Sequence, residues 1–416
     1  MVAMNISLLT LAGVFFLIAV RQIGGLRLQI WQIMLVGAGV VLVSGEISPL
    51  NAIKAMNVDV MLFLFCMFVV GDALEESGYL AHLAYKYFKR AATLDTLVWM
   101  VLLGTGLLSA FLMNDTIAII GTPVMLLLAR KHGMSSKPLL LALAFGVTIG
   151  SVMSPIGNPQ NLLIAVQGGV PNAFVLFLRW LFLPSILNLA VAFAFVRLYY
   201  RADFHQTELT HSQEPIRNRE LAELSRISLR VALVLIIVKV ISASLGADDF
   251  LRLTHIALAA CLPILIASPR RWHIVRRIDW RTLAFFAAMF VLMESVWDTG
   301  FFQSLLQREQ IDVHSTSALI GASVVISQVV SNVPLVALLL PALLKSGVSV
   351  PGLLALAAGS TIAGNLTILG AASNVIIIQN AERRGKETIT FWEFLRIGAP
   401  LTAVNAFIYW VFLRFL

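Results

Sequence analysis

Apolar runs of membrane-spanning length recur along the whole chain, at roughly 5–20, 28–46, 59–77, 174–198, 226–245, 254–268, 282–297 and 400–416. They are continuous rather than alternating, which excludes a transmembrane β-barrel and predicts helices. Two further apolar stretches are each interrupted once: 93–130 at Met113-Asn114-Asp115-Thr116, and 316–345 at Ser331-Asn332-Val333-Pro334. Each could span twice, or enter and leave on one side as a hairpin of two half-helices. Two more spans, 138–165 and 351–378, are broken inside. The first break lies in 146–161, GVTIGSVMSPIGNPQN, where glycines, two prolines, two asparagines and a glutamine sit at bilayer depth. A helix broken there frees backbone groups that cannot face lipid, so the break must be buried in protein or line a wet cavity.

The second break has the same pattern. Residues 359–374, GSTIAGNLTILGAASN, align with 146–161 without a gap, pairing Gly146/Gly359, Thr148/Thr361, Ile149/Ile362, Gly157/Gly370 and Asn161/Asn374, with Ser154 opposite Thr367. The match extends outward: 67–80 resembles 289–302, with Asp72 opposite Glu294 and Gly78 opposite Gly300. In both interrupted stretches a proline follows the central asparagine by nine residues, Asn114 to Pro123 and Asn332 to Pro341. Each half therefore reads as three spans, a hairpin, a broken span and a last span. Five crossings per half is an odd number, so the second repeat is inverted relative to the first, and paired broken segments point to a transporter's binding site. The expected fold is an all-α polytopic membrane protein of two inverted repeats, each with five transmembrane helices and one re-entrant hairpin. The first repeat covers 1–200, a cytoplasmic linker 201–224, and the second repeat 225–416. Interfacial helices are expected at 79–91, 301–310 and 391–398.

Composition agrees. Of 416 residues, 59% are hydrophobic and 12% charged, with a mean hydropathy of +0.89. The net charge of +8 resides in short loops rather than in a nucleic-acid surface. With the first hairpin opening to the cytoplasm, Lys54, Arg252, Arg308 and Lys345 fall outside, Arg179, Lys239 and Arg414 lie within spans, and the other 23 of 30 basic residues are cytoplasmic. The positive-inside rule then places both termini outside a cell inner membrane. Residues 5–20 lack a basic leader and a cleavage site, so they read as the first span. Cys66 and Cys261 read as inert packing residues, and the seven histidines show no metal-ligand spacing. No GxxxxGK[ST] occurs, which argues against an ATP-driven pump in this chain alone. No nucleophile–base pair supports an enzyme.

The breaks concentrate the candidate chemistry. Half-helix ends collect unpaired backbone donors and acceptors, and their N-termini offer partial positive charge to anions. The amides of Asn114, Asn161, Asn332 and Asn374 suit Na⁺ or hydroxyl hydrogens, or they merely cap the broken helices. Asp115 is the sharpest single residue. An ionised carboxylate near the midplane is costly unless paired or hydrated, so it suits a proton carrier; the competing role is an N-cap for the half-helix that follows. Asp72 and Glu294 read as solvated span ends, and Arg179 and Lys239 as snorkelling side chains.

Taken together, Asn114-Asp115-Thr116, 156–161, 331–334, 364–370 and 391–402 resemble the ion transporter superfamily, which includes arsenite efflux permeases, Na⁺/H⁺ antiporters and divalent-anion and citrate symporters. The resemblance covers nearly the whole chain. It implies scaffold and transport domains, an elevator-type movement and often a homodimer. The Ser-Asn-Thr tips of the dicarboxylate symporters are intact at neither hairpin, and Asn114-Asp115 is similar to the arsenite permease pattern. The expectation is proton-coupled efflux of arsenite or antimonite, a small inorganic substrate, with Asp115 exchanging the proton. Asn114, Thr116, Ser154, Gly157, Asn158, Asn161, Ser331, Asn332, Thr367, Gly370, Ser373 and Asn374 would line the site. No cofactor is expected beyond the proton gradient or Na⁺; the partners expected are the lipid bilayer, a second copy and a cytoplasmic ATPase subunit. The alternatives are a Na⁺- or H⁺-coupled transporter of an anion such as a carboxylate or sulfate, and a Na⁺/H⁺ antiporter.

Overall fold

Inside a bilayer every backbone N–H and C=O needs a partner within the protein, and the chain meets that demand almost entirely with helices. The computed structural model describes residues 6–20, 22–23, 26–56, 58–170, 173–205, 216–244, 251, 253–301, 315–384 and 388–415. The first half comprises α1 (Ile6–Val20), α2 (Ile30–Val43), the short α3 (Pro49–Ala55), α4 (Val58–Glu76), α5 (Tyr79–Phe88), α6 (Leu94–Leu112), α7 (Asn114–Lys131), α8 (Lys137–Val152), α9 (Pro159–Gln167) and α10 (Ala173–Tyr199). The second comprises α11 (Arg219–Ser244), α12 (Leu253–Ala267), the short α13 (Arg271–Arg277), α14 (Trp280–Asp298), α15 (Thr316–Val330), α16 (Asn332–Lys345), α17 (Val350–Ile362), α18 (Ala372–Arg384) and α19 (Phe391–Arg414). A two-residue antiparallel pairing, β1 (Gln22–Ile23) with β2 (Leu26–Arg27), closes the basic turn after α1. Among the described residues, α10, α14 and α19 are long and apolar enough to cross a membrane by themselves.

The interruptions fall where the polar residues predict them. α6 and α7 meet at Met113, α15 and α16 at Ser331, and the broken spans part between α8 and α9 and between α17 and α18. Two boundaries differ from expectation. The linker shortens, because α11 starts at Arg219 and winds the polar 219–225 into its first turns. The expected interfacial helix at 391–398 is instead the start of α19, which runs unbroken through Pro400. Pro400 has no N–H for the carbonyl four residues back, and the Tyr199 hydroxyl donates to that Arg396 carbonyl at 3.1 Å instead. The helix expected at 301–310 lies outside the described residues, apart from Phe301.

Packing between the halves is reciprocal. α2 packs on α14, and α12 on α4; α1 meets α14, and α11 meets α4. The pattern continues at the interruptions: α7 lies on α18 and α16 on α9, while α8 lies on α18 and α17 on α9. α10 and α19 pack on each other, tied by Ser185 and Tyr409 at 2.7 Å.

The C-terminal end of α4 is a charged clamp rather than the solvated span end its sequence suggests. Asp72, only 7% exposed, accepts from the Arg384 guanidinium at 2.7 Å, and Glu75 pairs with the same arginine. Next to it, Glu76 faces Arg270 and Arg277, each at 3.1 Å, and His273 at 3.5 Å. The clamp binds α4 to α13 and to the end of α18, three elements far apart in sequence. Glu294, the counterpart of Asp72, is exposed, as expected. Lys239 donates to the Leu251 carbonyl at 2.9 Å, while Arg179 lies over the Trp180 ring.

Removing one member of a buried ion pair leaves the other charge uncompensated, at a cost of about 3–5 kcal/mol. Arg384→Ala is therefore expected to lower the thermal unfolding midpoint sharply in detergent. Arg384→Gln combined with Asp72→Asn and Glu75→Gln, which removes both signs together, should recover much of the loss.

Candidate functional site

The first break ends in an asparagine-built joint. Asn158, the N-cap of α9, accepts from the Asn161 backbone N–H at 2.8 Å. Its own amide donates to Ser151 Oγ and Thr361 Oγ1, both at 3.1 Å. The Asn161 amide reaches back across the gap to the carbonyls of Ser151 and Ser154, both at 3.1 Å, and of Val152 at 3.4 Å. These are carbonyls left orphaned where α8 stops. Gly157 fits beneath them because a Cβ there would lie 2.2 Å from the Ser151 oxygen. Its carbonyl accepts from the Asn114 N–H at 2.9 Å, fastening the first hairpin tip to the first break. Ser154 Oγ accepts from the Ile156 N–H.

The second break repeats the joint in part. The Asn374 amide donates to the Gly364 carbonyl, the position that aligns with Ser151 in the first break. Thr367 caps the turn at Gly370 and donates to Gln328 Oε1 at 2.8 Å. The Gln328 amide donates to the Ala363 carbonyl at 2.8 Å, which clasps the arm of the second hairpin to the second break. Asn365, Asn405 and Asn188 form an amide chain, with bonds of 3.0 and 2.9 Å, out to α19 and α10. Thr361 joins the breaks: its hydroxyl donates to Asn161 Oδ1 at 3.2 Å and accepts from Asn158.

Both tips carry the same unusual backbone. Met113 (φ 60°) and Ser331 (φ 71°) are the positive-φ non-glycine residues among those described. Each is followed directly by the asparagine that opens a half-helix, Asn114 or Asn332. Asn114 Oδ1 accepts from the Asp115 N–H at 2.9 Å, and Thr116 is buried in the same turn. Ser331 lines a pocket with Gln328, Leu369, Ala372, Met34, Met289 and Met293, about 390 Å³ of non-protein space with its open mouth included.

The polar atoms of the site divide into two groups. Asn158, Asn161 and Thr367 make the bonds that hold the breaks together. Asp115 Oδ1, Thr148 Oγ1, Asn332 Oδ1, Ser373 Oγ and Asn374 Oδ1 are buried without a hydrogen-bond partner in the protein, which is uncommon for buried polar atoms. Thr148, Thr361, Gln160 and Gln328 were not among the sequence candidates. The aligned threonines 148 and 361 carried a signal, since they stand at matching places in both windows; Gln328 carried none.

Thr361→Val removes the donor to Asn161 and an acceptor from Asn158, leaving a buried amide oxygen unpaired at a cost of about 1–3 kcal/mol. Lower thermal stability and lost transport are expected, with Thr361→Ser retaining both. A Thr361→Val protein with unchanged stability would show that the cross-break bonds do not hold the joint.

An uncharacterised transporter of Mycobacterium tuberculosis is 29% identical over 420 residues, covering 95% of each chain. The silicon efflux transporter of Oryza sativa is 25% identical over 461 residues, covering 94% of each. The crystal structure of the YdaH transporter of Alcanivorax borkumensis aligns at a TM-score of 0.49 and 14% identity, over 98% of this chain and 96% of that one. The family model for citrate transporters matches residues 13–352, and with most of the chain so accounted for, this is a membrane transporter that belongs to the citrate transporter family.

Proposed function

We propose that the chain is a secondary active transporter of a small anion such as a carboxylate, working by alternating access about the joined breaks. The observation that carries this reading is the group of buried, unpartnered oxygens on Asp115, Thr148, Asn332, Ser373 and Asn374. They lie on the same tips and breaks as the N-terminal ends of α7, α9, α16 and α18. Helix N-termini favour negative charge, while the amide and hydroxyl oxygens suit a co-bound Na⁺ or the hydroxyls of the substrate. Two inverted repeats, 1–200 and 225–416, account for the reciprocal packing, and the elevator-type movement implied by the resemblance would carry the joint past α2, α4, α12 and α14. Asp115 carries the coupling proton in this reading: it has no counterpart in the second tip, where Val333 stands, and its carboxylate has no basic partner.

Arsenite or antimonite efflux ranks second. The matching family model names citrate, not an arsenical pump. One observation keeps the reading in play: neither tip and neither break contains a lysine, arginine or histidine. Arsenous acid is an uncharged hydroxylated centre at neutral pH and needs no counter-charge, and a relative is named as a silicon efflux transporter.

The test is flux into proteoliposomes of the purified chain. Labelled citrate should accumulate under an imposed pH or Na⁺ gradient and be displaced by unlabelled citrate but not by arsenite; the reverse pattern of displacement would replace the carboxylate with the metalloid acid. Asp115→Asn is expected to abolish pH-driven accumulation while citrate counterflow persists. Undiminished pH coupling in that variant would remove Asp115 from the mechanism.

A further inference from the structure

The segment 270–281, which joins the spans α12 and α14, holds five arginines, His273 and two tryptophans. Its middle forms α13, a short helix anchored by the buried Ile274, with Ile278 buried just beyond it. The basic and aromatic side chains face out. Arg270, Arg271, Arg276, Arg277 and Arg281 are exposed, as are Trp272 at 69% and Trp280 at 50%. Two carboxylates stand against the five guanidiniums. Asp279 is buried and spent on capping α14, where it accepts from the Thr282 N–H at 3.2 Å and the Thr282 hydroxyl at 3.0 Å. Glu76 is shared between Arg270 and Arg277, each at 3.1 Å. The other three arginines have no acidic partner among the described residues. Arg271 donates to the Ile266 carbonyl at 3.0 Å and Arg281 to Gln29 Oε1 at 3.3 Å, both neutral acceptors, and Arg276 reaches none.

The positive-inside rule accounts for basic residues in such a loop, but not for exposed indoles beside them. An indole is favoured where one edge meets hydrocarbon and the other meets water, which is the level of lipid headgroups. The Trp280 Nε1–H donates to the Val275 carbonyl at 3.1 Å, and its ring lies 6.1 Å from that of Phe65 on α4. Uncompensated guanidiniums and exposed indoles on one segment between two span ends fit a partner that brings both phosphate and hydrocarbon. We propose that 270–281 is a binding surface for anionic phospholipid headgroups. Arg271, Arg276 and Arg281 take the headgroup phosphates through paired N–H groups, while Trp272 and Trp280 lie against the glycerol and upper acyl groups. An arginine close to an anionic surface strengthens binding about fivefold. Glu76 ties Arg270 and Arg277 to α4, and Arg383 at the end of α18 donates to the Arg277 carbonyl. Lipid held at this surface therefore bears directly on the clamp.

The experiment places the full chain in phosphatidylcholine nanodiscs that carry a photoreactive phosphatidylglycerol, or a photoreactive phosphatidylcholine in its place, and maps the cross-links by peptide mass. Cross-links within 270–281 are expected from phosphatidylglycerol and not from phosphatidylcholine. Arg271→Gln, Arg276→Gln and Arg281→Gln combined leave the Glu76 pairs untouched. That variant should lose most of the labelling within 270–281 while cross-links elsewhere on the chain persist. Arg271→Lys, Arg276→Lys and Arg281→Lys combined keep the charge and should restore it; a lysine variant as weak as the glutamine one would give the arginines a purely structural role and overturn the proposal. Unchanged labelling in the glutamine variant overturns it too, as does equal labelling by the two lipids. Labelling abolished by added inorganic phosphate would make this a site for free phosphate instead, and equally ends the lipid reading.

Discussion

A backbone group freed inside a bilayer has no water to turn to, and each one left unpaired costs several kcal/mol. Four interruptions at bilayer depth would be ruinous on those terms. This chain resolves them by setting the interruptions against one another. The carbonyls orphaned at the end of α8 are taken by the Asn161 amide, the Asn114 N–H is taken by Gly157, and the Ala363 carbonyl is taken by Gln328. Each break is therefore satisfied from within the protein, by its own asparagine or by a neighbouring hairpin arm. The polar centre is a consequence of that mutual satisfaction, and whatever the transporter binds must bind to what is left over.

The reciprocity of the packing follows from the same constraint. A break is covered partly by side chains of intact helices, such as Gln328 of α15 and Asn405 of α19, and partly by a neighbouring segment that is itself interrupted. α7 on α18 and α16 on α9 meet this need in both directions. The two breaks are nevertheless not identical. Thr361 bridges to Asn161, whereas its counterpart Thr148 and the corresponding Asn374 oxygen have no protein partner. One bond of the symmetric pair is made and the other is not, so each break keeps one unpartnered oxygen, Thr148 Oγ1 on the first and Asn374 Oδ1 on the second.

How much of this the sequence disclosed depends on whether the signal was local. The breaks and tips were legible because polar residues in apolar runs have few bland explanations, and the aligned windows 146–161 and 359–374 gave the pairing Asn161/Asn374 directly. Three features were not legible. That Asn158 and Asn161 would spend their amides on the joint depends on where α8 ends in space, which composition does not encode. The Asp72–Arg384 clamp joins residues 312 apart in sequence, and a lone acidic residue at a span end looks the same whether solvated or paired. The unbroken α19 was hidden because Pro400 normally stops or kinks a helix, and the hydroxyl that satisfies the freed Arg396 carbonyl comes from Tyr199, on another helix.

The two tips show where the fold accepts strain. Met113 and Ser331 adopt a left-handed φ with an extended ψ, a region that is largely glycine's, at a cost of order 1–3 kcal/mol each. Glycine would relieve that strain, but it would also let the tip sample many other conformations, since glycine gains freedom in both hands of the backbone. A side chain at this position, Met113 buried and Ser331 facing the pocket, anchors the turn instead. The gain is a fixed joint: with the first turn held, the Asn114 N–H meets the Gly157 carbonyl and the Asp115 N–H meets Asn114 Oδ1. Strain at matching places in both halves persists because packing from elsewhere holds each tip in one conformation.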